Sequence, residues 1–401
     1  MRVRDRATSI FSKNKYLVSF IERFHLAKAK DDGDKHVLGL WDGAAFRFRW
    51  PDSALLPARI LARYGTSPLR LIEAVKSAVD HLLDVYDLQS QNVSFSSPEA
   101  LFDALRLTNL TQASAADYFE KRLKVSHRFV DEFVTGASRD NYNQGKAINA
   151  FVDLVSLAGA GIGGSVFSLA NGTTPLVAAL LASGGASIRT HTSSQVQSIR
   201  TDGNQFELAV AGGASLTYDA VAVATPLEHA HGLSLSGAPP GLNTSRPYQR
   251  TCVTFVSGAV DRNYFGLSSD ADGEVPTDIL TVENASLPFS TLTVHATLPN
   301  GTHVYKLFSR VPLGEEVLSA IFRSRYKTVR LDWPAAYPKL EPTPPKTTWP
   351  PFEVPLSHSG TNSPRPLIYV GAMESGVSCM ETQLIAAKNA ALRIARMLQP
   401  D

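Results

Sequence analysis

The chain has 401 residues, 44% hydrophobic and 19% charged, which is enough for two or three domains around a large core. A formal net charge of +2 leaves no nucleic-acid footprint, and no apolar run reaches the roughly 18 residues needed to span a membrane. Two cysteines, Cys252 and Cys379, cannot make a disulfide framework or a metal site by themselves and read as ordinary buried thiols.

The first 150 residues read as mostly helical. Residues 16–26 carry apolar side chains at helical spacing, and 37–50 reads as a hairpin turning at Asp42-Gly43. Ser67-Pro68 opens a longer helix, with Ile72, Val75, Val79, Leu82, Leu83 and Tyr86 as its apolar stripe. Ser97-Pro98-Glu99 opens another. Ser114-Ala-Ala-Asp117 predicts one continuous helix through Phe119, Leu123, Phe129, Val130 and Phe133.

Residues 150–158 form an apolar run into the glycines of 159–164. A short helix over 176–181 follows, then extended segments at 186–188, 195–200 and 205–210, and an apolar strand at 218–226 stopped by Pro226. From 250 to 310 the pattern alternates, predicting strands at 252–256, 278–282, 292–295 and 303–308, with Asn300-Gly301 as a hairpin turn. Ten prolines in 334–366 predict an extended crossing. Finally, a short buried strand from Leu367 runs into Gly371 and Gly376, and a helix opens between Ser378 and Glu381. Alanines at 386, 387, 390, 391 and 395 let a backbone or flat ligand approach that helix. Such a crossover points free N–H groups at whatever lies beyond the strand.

Four stretches carry a resemblance to a known family. They are Arg139-Asp-Asn-Tyr-Asn-Gln144 with Ile148-Asn-Ala-Phe-Val152, the 218–227 strand ending in Ala-Thr-Pro-Leu227, Trp333-Pro-Ala-Ala-Tyr-Pro338, and Gly371-Ala-Met-Glu374 with Ser378-Cys-Met-Glu381. The chain resembles the prenylcysteine oxidases, called farnesylcysteine lyases in plants, among the amine-oxidase-like flavoproteins. The resemblance starts near Ser9.

It implies an FAD-dependent oxidoreductase of the lysosome or vacuole lumen that degrades prenylcysteine with oxygen. The products would be cysteine, a prenyl aldehyde and hydrogen peroxide. The implied fold is α/β (α+β overall), with an FAD/NAD(P)-binding Rossmann-like domain and a helical and antiparallel-sheet substrate domain. On this reading 1–150 is the helical substrate side, and 151–230 is part of the FAD-binding domain. Residues 231–335 are the β substrate domain, 336–366 the crossing, and 367–401 the return to the FAD-binding domain. Phenylalanine-rich helices of the first 150 residues could line a tunnel for the prenyl tail.

The resemblance also marks a departure. Nothing before residue 30 supplies the strand and Gly-x-Gly-x-x-Gly turn that hold a pyrophosphate. The expectation is an amino-terminally truncated member, from an incomplete gene model or a degenerate paralogue. The alternative function is a non-catalytic member that cannot hold FAD and acts as a prenyl-binding or inert fragment.

By the same resemblance Val196, Gly371, Glu374, Met380 and Glu381 are the cofactor-binding candidates. The plain alternatives are sheet core for Val196 and a helix start with favourable acids for the others. Arg139 and Tyr142 are the substrate-binding candidates, since arginine suits a carboxylate; the alternative is an internal ion pair and a packed ring. No metal site and no catalytic acid, base or nucleophile is assigned. The glycines of 159–164 could be a dinucleotide fingerprint for an NAD(P)-linked reductase, but no carboxylate follows at ribose distance, and a loop is the favoured reading. Six Asn-x-Ser/Thr sequons, at Asn92, Asn109, Asn171, Asn243, Asn284 and Asn300, exceed the roughly two expected by chance and predict a lumenal history, although no signal peptide opens the chain.

Overall fold

The computed structural model describes residues 9–29, 37–50, 55–213, 215–240, 242, 246–269, 273–284, 286–345, 349–358, 361–362 and 365–399. Asn243 lies outside the described residues.

The largest sheet has seven strands, in the order Phe322–Pro338, Tyr248–Val260, His303–Ser309, Thr291–Thr297, Asp278–Thr281, Leu38–Trp41 and Phe46–Trp50. The alternating segments of 250–310 form its centre because each buries one side-chain face. The 37–50 hairpin forms where its turn chemistry places it. Gly43 takes φ +105°, and Asp42 Oδ1 accepts from the N–H groups of Ala44 and Ala45 at 2.9 and 2.8 Å. Its first strand pairs parallel to Asp278–Thr281, so amino-terminal residues extend the central sheet.

Phe322–Pro338 was not anticipated over its first half. Arginine and lysine interrupt the apolar alternation there, because this edge strand is largely exposed on both faces. The strand expected over 218–226 shortens to Ala222–Val223, since its ladder partner Leu367–Tyr369 offers only Ile368 and Tyr369 to pair with.

Helices cover one face of the large sheet. Ser67–Ser90 is the longest and buries Leu71, Val75, Ala78, Val79, Val85 and Tyr86. The continuous helix expected from 114 through 133 is interrupted. Lys124 takes φ +55°, and Ser126 restarts the chain by accepting from Phe129 N–H through its hydroxyl. The helix Ala150–Gly159, capped by Asn149, packs against Ser67–Ser90 and Thr135–Tyr142. It ends in the 159–164 glycines, where Gly161 and Gly163 take φ +89° and +81°. A fingerprint needs a strand before its glycines; here a helix precedes them, so the reductase reading is corrected.

Four smaller sheets are described, two of them simple strand pairs, and the other two are larger. Glu353–Val354, Leu367–Tyr369 and Ala222–Val223 form one, with the last two parallel. Ser215–Tyr218, Gln205–Val210, Val196–Asp202 and Ser234–Leu235 form the other.

Candidate active site at the carboxy-terminal crossover

Leu367–Tyr369 is wholly buried and passes through a 3-10 turn, Val370–Ser375, into the helix Met380–Met397. Its two glycines make room for rings. A Cβ at Gly371 would lie 2.9 Å from the Tyr369 ring, and one at Gly376 would lie 2.4 Å from Trp349 and 2.6 Å from Phe102. Both positions exclude a side chain because aromatic packing inside the protein already fills the space.

The helix opening is also filled from within. Cys379 is the N-cap, and its Sγ accepts from the Thr382 N–H. Thr382 Oγ1 accepts in return from the Cys379 N–H at 3.0 Å. Glu381 is buried and points at a different helix, Lys15–Arg23. Its oxygens accept from the N–H groups of Tyr16 and Leu17, both at 2.9 Å, and from Tyr86 Oη at 2.6 Å. Tyr86 Oη also accepts from Lys15 N–H at 3.2 Å. Two orphan donors of that helix start are thus satisfied by a carboxylate more than 360 residues away in sequence, and a third by the tyrosine that this carboxylate holds. Met380 packs beside Ile10, Leu17, Ile21, Leu169 and Leu176.

Glu374 belongs to a second polar group. Ser378 Oγ donates to it at 3.1 Å, and Arg246 Nη2 lies 4.0 Å away. Arg246 forks onto Glu228 and also donates to Ser375 Oγ at 2.7 Å, Tyr369 Oη at 3.2 Å and Tyr248 Oη at 3.3 Å. Burial pushes the Glu374 carboxyl above its ordinary range, with Arg246 pulling the other way.

Arg139 and Tyr142 share the helix Thr135–Tyr142. Arg139 is 2% exposed and donates to Thr281 Oγ1 at 3.0 Å, Glu283 Oε2 at 3.0 Å and Phe289 O at 3.3 Å. Arg310 grips the same Glu283, and although burial opposes it, the two guanidinium groups hold that carboxyl below its usual range. A ligand carboxylate would have to displace Glu283, so the geometry favours the internal ion pair. Tyr142 packs edge-to-face on Tyr337 with centroids 5.0 Å apart. Burial raises its hydroxyl well above the ordinary value, and that hydroxyl has no hydrogen-bond partner among the described residues. The Cys379 thiol adds to the upward shift of both hydroxyls, after burial. Val196 is elsewhere, opposite Val210 at one end of the four-stranded sheet.

Sequence reasoning missed Tyr86, Arg246, Tyr248 and Tyr337. Tyr337 sat inside a motif already singled out, and Tyr86 closed a predicted stripe. Arg246 had no local signal.

Gly371 and Gly376 are filled by rings, Glu381 caps another helix, and Cys379 and Thr382 cap one another, so FAD would have to be held by groups other than these. An open surface groove of about 460 Å³ lies among Ser114, Ala116, Lys146, Ala147, Glu341 and Pro342.

The family model described as prenylcysteine lyase matches residues 52–400. The chain belongs to the prenylcysteine lyase family. Among curated relatives of this family, farnesylcysteine lyase of Arabidopsis thaliana is 30% identical over 393 residues, covering 94% of this chain and 74% of its own. Prenylcysteine oxidase 1-like of Homo sapiens is 28% identical, covering 96% and 78%, and human prenylcysteine oxidase 1 is 26% identical, covering 94% and 76%. Membership of the prenylcysteine lyase family makes the protein an oxidoreductase. Among solved structures, putrescine oxidase bound to putrescine superposes with a TM-score of 0.59 at 10% identity, covering 97% of this chain and 87% of that one. That likeness shows the mixed α/β, Rossmann-like fold class.

Proposed function

We propose that the protein oxidises prenylcysteine thioethers with FAD and oxygen. The carbon bonded to sulfur loses a hydride and becomes an aldehyde, water supplies the aldehyde oxygen, the sulfur leaves as the cysteine thiol, and oxygen is reduced to hydrogen peroxide. The cofactor supplies the redox chemistry, and the protein's part is to position and desolvate the thioether. The observation that carries the reading is the buried Tyr142–Tyr337 pair, which brings together two of the motif stretches, 139–144 and 333–338, in a chain matched by the prenylcysteine lyase model. Tyr142 offers its unpartnered hydroxyl to a polar atom of the substrate.

A second reading has its own support. With Glu381 and the helix-opening donors already engaged, the chain could bind a prenyl thioether without retaining FAD. Titrating the purified protein with FAD and following quenching of flavin fluorescence separates the two. Stoichiometric uptake, followed by aldehyde and peroxide on adding farnesylcysteine in air, supports oxidation. Farnesylcysteine binding with no flavin uptake supports the second reading and overturns the first.

The lysosome or vacuole lumen is the proposed compartment. Asn92, Asn109, Asn171, Asn284 and Asn300 are all exposed, as glycan acceptors must be.

A further inference from the structure

One face of the large sheet is apolar and half open. Along Tyr248–Val260 the side chains of Cys252, Thr254 and Val256 are buried, and Val256 shares a core with Leu318 and Ile321 of the helix Glu315–Ile321. The alternate residues face the other way. Thr251 shows where that is: its Oγ1 accepts from Asn143 Nδ2 at 3.3 Å, just past the helix Thr135–Tyr142. Val253 and Phe255 follow on the same face, and cross-strand pairing extends it sideways. Val253 stands between Phe308 and Leu331, Phe255 between Lys306 and Val329, and Trp333 opposite Thr251. Val253, Phe255, Phe308 and Val329 are half-buried, yet they join none of the three apolar cores. Leu331 and Trp333 are 55% and 52% exposed.

This strip runs into the tyrosine pair. The register slips between Gln249 and Thr251, so Thr251 faces Trp333 while Gln249 faces Tyr337, and Pro334 sits inside the slip, where no ladder donor is needed. Tyr337 then lies between two rings, Trp333 at 5.9 Å and Tyr142 at 5.0 Å. An unbroken aromatic line therefore joins the exposed Trp333 to the buried Tyr142, whose hydroxyl has no partner among the described residues. At the opposite end of the strip the Lys306 ammonium lies over the Phe308 ring at 4.6 Å.

We propose that this strip seats the isoprenoid chain of prenylcysteine, with the Tyr142–Tyr337 pair at the polar head of the substrate. The inference rests on the prenylcysteine reading and gives that substrate its place. An isoprenoid makes no hydrogen bonds, so its seat must be apolar along its length, with polar groups only where the amino-acid head begins. Size separates this occupant from a second copy of the chain. From Trp333 to Val329 the strip is roughly 13 Å long, and its three strands are about 10 Å across. That area holds one extended chain of a few isoprene units, and it is far below the roughly 800 Å² that each partner of a stable dimer covers. The phenylalanine-rich helices offer no such free surface at their centre, because Phe48, Tyr64 and Phe129 are buried against one another.

Calorimetric titration with S-farnesylcysteine, with and without added FAD, reads the seat without turnover. Combining Leu331→Ser with Trp333→Ser should weaken binding about tenfold or more, with an unchanged melting temperature. A second arm uses the unsubstituted protein and a farnesylcysteine carrying a photoreactive diazirine on its terminal isoprene unit. The label should map to residues 253–255, 306–308 and 329–333. Undiminished binding by the variant, or label confined to other segments, overturns the strip and leaves the prenylcysteine reading standing. No binding of farnesylcysteine by the wild type, with FAD or without it, overturns both. A wild-type dimer that the double variant converts to monomer makes the face a self-association surface and overturns the strip alone.

Discussion

Asp153 is fully buried in the helix Ala150–Gly159. Its Oδ1 accepts from Ser138 Oγ at 2.6 Å, and its Oδ2 has no partner. Burial raises its pKa to about 7, with the Ser138 hydroxyl pulling down. The unfolded chain would release this proton near pH 3.9. Between those values the folded state holds a proton that the unfolded state does not. Stability from this group is therefore complete below about pH 4 and is lost as pH rises through about 7, a decline of about 4 kcal/mol. Asp153→Asn keeps the acceptor and removes the charge. Thermal melts from pH 4.5 to 8 should show the wild type falling away from the variant as pH rises; parallel curves would exclude the effect. An acidic lumen is the compartment in which this aspartate costs least.

At the scale of elements, the carboxy-terminal helix is fixed by one face repeating every fourth residue. Glu381 caps the helix Lys15–Arg23, the Ile385 carbonyl accepts from Gln89 at 3.0 Å, Asn389 exchanges two bonds with the Phe95 backbone, and Arg393 reaches Glu353. Glu381→Ala leaves two backbone donors and the Tyr86 hydroxyl buried without an acceptor. The expected cost is about 3 kcal/mol, read by denaturant melts, with faster hydrogen exchange over residues 15–23. Exchange unchanged there would show that the cap is not what holds that helix. The spacing of 381, 385, 389 and 393 was legible in the sequence as a helix. What it touches was not, because every partner except Glu353 lies roughly 300 residues or more away along the chain. Gly371 and Gly376 show the same limit. Their need for glycine was readable, but the reason was not, since a flat ligand and an aromatic ring exclude a Cβ alike.

Across the whole molecule, the five exposed sequon asparagines predict glycosylation in a secretory host. Directed there with a secretion leader, the protein should shift in mobility on endoglycosidase treatment; no shift would remove the support they give to a lumenal compartment. Sequence by itself determined the alternating strands of 250–310, the Asp42-Gly43 hairpin, the strand–turn–helix at the carboxy terminus and the prenylcysteine lyase membership. Each is set by local periodicity, turn chemistry or contiguous motif. Only the tertiary structure decided that the hairpin joins the central sheet, that Arg139 belongs to Glu283, that Glu381 caps a distant helix, and that Tyr142 stands against Tyr337. Those outcomes depend on which buried donor meets which acceptor across the fold, a long-range pairing that spacing along the chain does not encode.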